Sequence, residues 1–346
     1  MKGMEKMKMK AVYLEKIKHF ETKEIEIPEP GPEEVLIKVK MVGICGSDVH
    51  YFENGRIGEF VVNKPLILGH EAAGEIVKVG KKVKNLKPGD RVAMEPGIPC
   101  RKCRYCKSGR YNLCPEVKFW ATPPIDGVFT EYTVHPADFC FKIPKNVSFE
   151  EGAMFEPLSV GLWATEQVDL KPEKKIAILG VGTIGMMTLI SSIANGATNI
   201  TVFDISPYKL EKSEEIGAKE AVLVDSKEKF EKYYGQFDIV FEAAGNESTI
   251  SQIPYLLTKG GEGVLIGLPS KDDVSLNINM LISKEAKIKT VFRYANMYPR
   301  AVELAASGKI KLKSLITKYY NLNQLQEAFE YVINNREKVI KVMIKI

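Results

Sequence analysis

The sequence predicts an α/β protein of two parts: a β-rich antiparallel unit of barrel type, followed by a doubly wound unit with a parallel sheet. Three observations predict it. Up to about residue 147 the chain carries short runs rich in Val, Ile and aromatics, bounded by Gly and Pro. From Lys175 on, strand-like and helix-like runs alternate, the pattern of βαβ units. Where the first of those strands gives way to a helix stands Gly180-Val181-Gly182-Thr183-Ile184-Gly185, a G-x-G-x-x-G motif.

Taken in order, the basic start MKGMEKMKMK lacks the apolar stretch of a signal peptide. The first strand-like run is Lys10–Leu14, followed by EVLIKVKMVGIC, GEIVKVG, DRVAME, FTEYTVH and FCFKIP. Pro28-Glu29-Pro30-Gly31-Pro32 and Lys87-Pro88-Gly89-Asp90 are turn sequences. No helix is expected between these strands. Ser148-Phe149-Glu150-Glu151 has the form of a capping box and opens a helix. IAILG is a buried strand run, followed by a helix to about Asn195. NITVFD, a helix ending near Gly217, AVLVD, DIVFEAAG and GGEGVLIG continue the alternation to about Val291. The tail holds helices at Tyr298–Ser307 and Leu322–Asn334 and the strand KVIKVMIKI, which is expected to return to the first unit.

A chain of 346 residues is long enough for two domains and a large core. The net charge of +5 is the small difference of 49 basic and 44 acidic groups, with no basic block, which excludes a nucleic-acid footprint. No run approaches the roughly 18 apolar residues of a membrane span. These features predict a cytoplasmic protein, in which the six cysteines stay reduced and their spacing points to metal.

The glycine motif has the context that gives it meaning. A strand precedes it, a helix follows it, and Asp204 closes the next strand 19 residues beyond Gly185. Glycines there let backbone approach a pyrophosphate at the helix N-terminus, and the acid accepts from ribose hydroxyls. A 2′-phosphate would be repelled, so NAD is predicted over NADP. Lys209 is a candidate for the adenosine end.

Two metal signals differ in kind. Cys100-x2-Cys103-x2-Cys106-x7-Cys114 brings four thiols close together, as a closed structural zinc site requires. The stretch Cys45–Glu71 combines a thiol, a hydroxyl (Ser47), two imidazoles (His50 and His70), a phenol (Tyr51) and a carboxylate, in a chain with only four histidines. Cys45 and His70, with Glu71 or Glu156 as carboxylate, are predicted to form an open zinc site that polarises an alcohol. Cys140, inside a strand run, reads as a buried apolar residue.

These residues resemble a family. Cys45-Gly46-Ser47-Asp48, Gly69-His70-Glu71, the four-cysteine lobe and GVGTIG are similar to those of the zinc-dependent medium-chain dehydrogenases. CGSDVHYFENGRIGEFVVNKPLILGHE, GRYNLCP, ATPPIDG, FEEGAMFEPLSVG and VFRYANMYP resemble the sorbitol (polyol) dehydrogenase branch, and the resemblance covers essentially the whole chain. It implies a GroES-like β-rich catalytic domain, residues 1–157 with 293–346, and a Rossmann NAD-binding domain, residues 158–292. It implies catalytic zinc near Cys45, His70 and Glu71, with Glu156 standing where alcohol dehydrogenases carry a cysteine ligand, so both glutamates are candidates for third ligand. Tyr51, Arg293 and Tyr294 match polyol contacts, and Phe119 and Thr122 match pocket walls. Ser47 and His50 match a proton path. Ile266, Gly267, Leu268, Val291, Phe292 and Arg293 are further cofactor candidates beside Gly180, Gly182, Thr183, Ile184 and Gly185. The intact four-cysteine lobe departs from the animal enzymes and pulls toward microbial and fungal members, xylitol dehydrogenases included. A homotetramer or homodimer is implied. The competing readings are a threonine, 2,3-butanediol or sugar-phosphate dehydrogenase of the same superfamily, or a dinucleotide sensor without catalysis.

Overall fold

In the computed structural model the described residues are 7–269, 271 and 273–346; the first six residues of the basic start lie outside them. Two large sheets organise the chain. The first has seven strands, in the order Cys140–Lys142, Arg91–Met94, Glu71–Val79, Glu34–Gly43, Lys341–Lys345 and Ile316–Asn321, with Tyr132–Pro136 also on Glu34–Gly43. Its pairs are antiparallel except the last, Ile316–Asn321 with Lys341–Lys345. The tail strand therefore joins the N-terminal sheet, with Met343 opposite Gly43 and Gly43 opposite Glu71. A smaller sheet of His19–Glu26, Lys8–Lys16 and Leu66–Ile67 stands beside it.

The second large sheet is fully parallel and runs Glu220–Leu223, Asn199–Asp204, Lys175–Leu179, Phe237–Glu242, Leu257–Leu265, Lys287–Thr290. Numbered along the chain this is 3-2-1-4-5-6, the doubly wound Rossmann order, whose switch point lies beside Lys175–Leu179. The glycine motif leaves that strand and enters helix Thr183–Ala194 with Gly182 as N-cap.

Helix Phe155–Glu166 links the two parts. It packs on helix Thr183–Ala194, and Gly161 permits the close approach, since a Cβ there would lie 2.5 Å from the Met187 carbonyl. Phe155, Leu158 and Leu162 are fully buried in one core cluster with Ala73 and Ala93 of the first sheet and Ile176 and Ile178 of the second. That packing carries Glu156, in the first turn of the helix, into the interior between the sheets.

The expected capping box is present: Ser148 accepts from the Glu151 amide, and the Glu151 carboxylate accepts from the Ser148 amide at 2.9 Å. Two elements differ from expectation. The first part does contain helices, Gly46–Asn54 and the short Arg104–Lys107, set between its strands. The segment HFETKEIE, heavy in charge, forms a strand because its backbone pairs with Lys8–Lys16 through eight residue pairs.

Candidate active site

The short helix Gly46–Asn54 builds the first side of the site. Cys45 is its N-cap, and Asp48 Oδ2 accepts from the Cys45 amide at 3.1 Å. Asp48 Oδ1 accepts from the Gly69 amide at 3.0 Å and lies 3.5 Å from His70 Nδ1. One fully buried carboxylate thus ties Cys45 to the Gly69-His70 turn, which begins 21 residues beyond Asp48 itself. Gly69 makes that turn at φ +87°, where a side chain would also press on Phe129 and Val42. Burial alone would lower the His70 pKa, but Asp48 and Cys45 override it and hold it well above 6.5.

Glu71 follows, on the strand opposite Gly43. A Cβ on Gly43 would lie 2.1 Å from Glu71 Oε2, so that carboxylate occupies the space a side chain would take. Lys341, on the tail strand, reaches both Glu71 oxygens at 2.8 and 2.7 Å and the Ile44 carbonyl at 3.1 Å. Both side chains of this ion pair are only 1% exposed. Burial would lower the Lys341 pKa, but Glu71 and Cys45 outweigh it and raise it.

Cys45, His70 and Glu71 each bring one ligand atom into a group spanning no more than 4.8 Å. Glu156 is not part of that trio. It is buried nearby and accepts from the Tyr294 hydroxyl at 3.1 Å. Burial, aided by Glu71, pushes its pKa up to about 7 against the pull of His70, Tyr294 and Lys341. Tyr51 is buried, its phenol pushed up to about 12 by burial and Asp48, with Arg293 and His70 opposing. The Arg293 guanidinium sits 3.9 Å over the Phe119 ring, which is 5.6 Å from the His70 ring. Ser47 is half-buried and His50 exposed, on the same helix. Thr122 is half-buried and pairs with Ile125.

The dinucleotide side is a cavity of about 480 Å³ lined by Gly180, Gly182, Asp204, Lys209, Val224 and Ala244, among others. The motif's glycines divide by role. Gly180 has φ +86° and would strike Ala244; a Cβ on Gly185 would lie 1.9 Å from the Gly180 oxygen. Both are demanded by the fold. A Cβ on Gly182 would meet nothing within 4 Å, so packing does not demand a glycine there. Asp204 accepts from the Val181 and Ser206 amides at 2.7 and 2.8 Å, and its two oxygens keep further acceptor capacity. Burial lowers the pKa of Lys209, against Asp204 and Glu337. The Thr183 hydroxyl donates to the Ile340 carbonyl at 2.5 Å, in the first turn of the helix. Ile184 is half-buried in the first turn. Ile266, Gly267 and Leu268 leave strand Leu257–Leu265, and Val291 and Phe292 leave Lys287–Thr290, at the carboxyl ends where ligands bind in such sheets.

The second cluster comprises Cys100, Cys103, Cys106 and Cys114. Cys103 and Cys106 sulfurs are 3.4 Å apart, and those of Cys100 and Cys106 3.9 Å, with no disulfide. The Cys100 sulfur accepts from the Cys103 amide at 3.4 Å, and the Cys114 sulfur from the Cys100 amide at 3.3 Å. Amide donors, that of Lys102 first, lower the Cys100 thiol to about 7. Clustered, unbridged sulfurs with amide donors fit a thiolate-bound metal. Cys140 is buried and free, as expected of a packing residue.

Two donor clusters of the kind zinc takes, one closed and one open beside a Rossmann cleft, define a zinc-binding dehydrogenase. Residues 31–145 match the alcohol dehydrogenase GroES-like domain, and residues 183–307 match the zinc-binding dehydrogenase domain. Sorbitol dehydrogenase of Bacillus subtilis is 42% identical, covering 97% of each chain. The Homo sapiens sorbitol dehydrogenase is 47% identical over 88% of this chain and 87% of its own. A solved oxidoreductase/dehydrogenase of unknown specificity from Escherichia coli superposes with a TM-score of 0.92 at 43% identity, covering 98% of this chain and 99% of that one. The chain belongs to the zinc-dependent medium-chain dehydrogenases, in their sorbitol dehydrogenase branch. Its cofactors are accordingly zinc and NAD.

Sequence reasoning missed Asp48, Gly43 and Lys341. Only Asp48 left a local signal, as the acid three residues after a capping Cys45.

Proposed function

We propose that the protein interconverts a secondary alcohol of a polyol, of sorbitol or xylitol type, and the corresponding ketose, with NAD as hydride acceptor. The observation that carries this reading is the trio Cys45, His70 and Glu71, with Glu156 buried nearby on Tyr294 and with Arg293 stacked on Phe119, the ring beside His70. Cys45, His70 and Glu71 would hold the catalytic zinc, and the four cysteines of the lobe the structural one. Zinc acidifies a bound hydroxyl and NAD accepts the hydride.

The chain's own residues do the rest. Asp48 orients His70 and sets the spacing to Cys45. Lys341 balances the Glu71 charge in the dry interior. Glu156, buried beside the trio and accepting from Tyr294, would be the second carboxylate available to the metal or to a water on it. Ser47 and the exposed His50 carry the substrate proton outward along one helix face. Arg293, with five donors, and the Tyr51 and Tyr294 hydroxyls bind the remaining hydroxyls of the chain. Phe119 and Thr122 wall the pocket. Asp204 and Lys209 hold the adenosine end, and the Gly180–Gly185 turn the pyrophosphate, with Ile266, Gly267, Leu268, Val291 and Phe292 beside the nicotinamide.

The free edge of strand Lys287–Thr290 and the exposed Ile278 and Ile282 are compatible with self-assembly, proposed as a homotetramer or homodimer, and a cytoplasmic location completes the proposal. Among the described residues no helix is long and apolar enough to cross a membrane.

The test is NADH formation across sorbitol, xylitol, butane-2,3-diol and threonine, repeated with NADP. A polyol should give the highest kcat/KM, with NAD. Faster turnover of the diol or threonine would replace the polyol reading with one of its rivals.

A further inference from the structure

We propose that the four-cysteine lobe positions the substrate loop, and that Tyr111 is the positioning residue through which it acts. The inference rests on the polyol reading above, in which Arg293 and Tyr294 meet substrate hydroxyls.

The loop in question joins strand Lys287–Thr290 to helix Tyr298–Ala306. Two of its residues, Arg293 at φ +54° and Asn296 at φ +61°, occupy the left-handed region without being glycine. Asparagine adopts that region readily, but for Arg293 it carries a cost that surrounding contacts must offset. Here the contacts come from Gly109–Asn112, between the third and fourth cysteines. The Asn296 amide donates to the Tyr111 hydroxyl oxygen at 2.7 Å. The Asn296 side chain donates to the Gly109 carbonyl at 2.8 Å, and the buried Asn112 side chain donates to the Phe292 carbonyl at 2.9 Å.

Tyr111 is itself fixed. Its hydroxyl donates to Glu95 Oε1 at 2.7 Å, just after strand Arg91–Met94. One oxygen therefore accepts from the loop and donates to the frame of the first sheet. The lobe's own ends are clamped, because its entry strand Gly97–Ile98 pairs with its exit strand Lys118–Phe119. Phe119 is the ring under the Arg293 guanidinium, and Phe292 the ring 4.9 Å on another side. The lobe thus supplies one aromatic wall of Arg293 directly and ties the carbonyl of the residue carrying the other. The next residue, Tyr294, bonds Glu156. This gives GRYNLCP a task that four ligand thiols alone do not explain.

The experiment uses full-length, zinc-loaded Tyr111→Phe, with Asn296→Asp as a second variant that tolerates the left-handed backbone and cannot donate to the Gly109 carbonyl. Amide hydrogen exchange of the segment 291–297 is read beside steady-state kinetics. Exchange should quicken in both variants. The polyol KM should rise about tenfold in Tyr111→Phe, as small displacements of substrate-orienting groups do, with the NAD KM and zinc per chain unchanged. Unchanged exchange would overturn the inference, as would polyol and NAD KM values rising together, the mark of general damage. A wild-type enzyme inactive on every polyol would sink the substrate reading instead, while the exchange result still decides whether the lobe holds the loop.

Discussion

Gly43→Ala is a one-methyl test of the metal site. Glycine inside a strand costs about 0.5–1 kcal/mol relative to alanine, so its place in Glu34–Gly43 needs a reason. The reason is Glu71. A Cβ on Gly43 would lie 2.1 Å from Oε2, 3.2 Å from the carboxyl carbon and 3.3 Å from the Glu71 Cβ. The oxygen must retreat by about 1 Å to reach ordinary contact. That disturbs its 2.7 Å bond to Lys341 and shifts the carboxylate that is grouped with Cys45 and His70. Breaking a buried ion pair costs about 3–5 kcal/mol; with Oε1 free to keep one bond, a loss of about 3 kcal/mol is expected. Melting curves should show a drop of several degrees. Metal analysis should show zinc falling from two per chain to one, in line with the two donor clusters, and NADH formation should be lost with it. A variant that keeps both zinc ions and the wild-type melting temperature would refute the place given to the Glu71 carboxylate.

Gly182→Ala should fold with unchanged stability, since its Cβ meets open space, but should raise the NAD KM by at least tenfold; an unchanged KM would remove that glycine from the cofactor's path. Glu95→Gln should change how stability depends on pH. Burial raises the Glu95 pKa to about 7, helped by Glu156 and Asp138 and opposed by Tyr111, and its Oε2 is buried without a partner. A carboxyl raised in the folded state leaves stability whole below its ordinary 4.5 and costs progressively more as pH climbs to about 7. The gap is worth about 3 kcal/mol at neutral pH. The glutamine variant can still accept from Tyr111 and should escape that loss, so denaturation curves of the two proteins should part between pH 4.5 and 7 and stay apart above it. Parallel curves would contradict the burial of a charge at Glu95.

What could be read in the sequence follows the range of the interactions involved. The four cysteines lie within 15 residues and the glycine motif within six, so their geometry is nearly local. The Ser148–Glu151 box is likewise a contact over three residues. Lys341 is the opposite case. In KVIKVMIKI it reads as one of several solvent-facing lysines, and its partner Glu71 is 270 residues away. No local pattern marks a lysine buried by a carboxylate. Helix Gly46–Asn54 was hidden because its sequence, GSDVHYFEN, holds mostly weak helix formers; it stands through capping by Asp48 and burial of Val49, Tyr51 and Phe52. Gly43 carried no signal either, since the carboxylate that fills its side-chain space comes from a neighbouring strand.

The most direct test of the central claim is NADH formation from sorbitol or xylitol by the wild type and by Cys45→Ala, each with its zinc counted. The wild type should reduce NAD with a polyol and hold two zinc ions per chain, as its two donor clusters require. Cys45→Ala should keep its fold and the zinc of the four-cysteine lobe, and should form no NADH. A Cys45→Ala protein that still reduced NAD with the polyol would contradict the assignment of Cys45, His70 and Glu71 as the seat of catalysis.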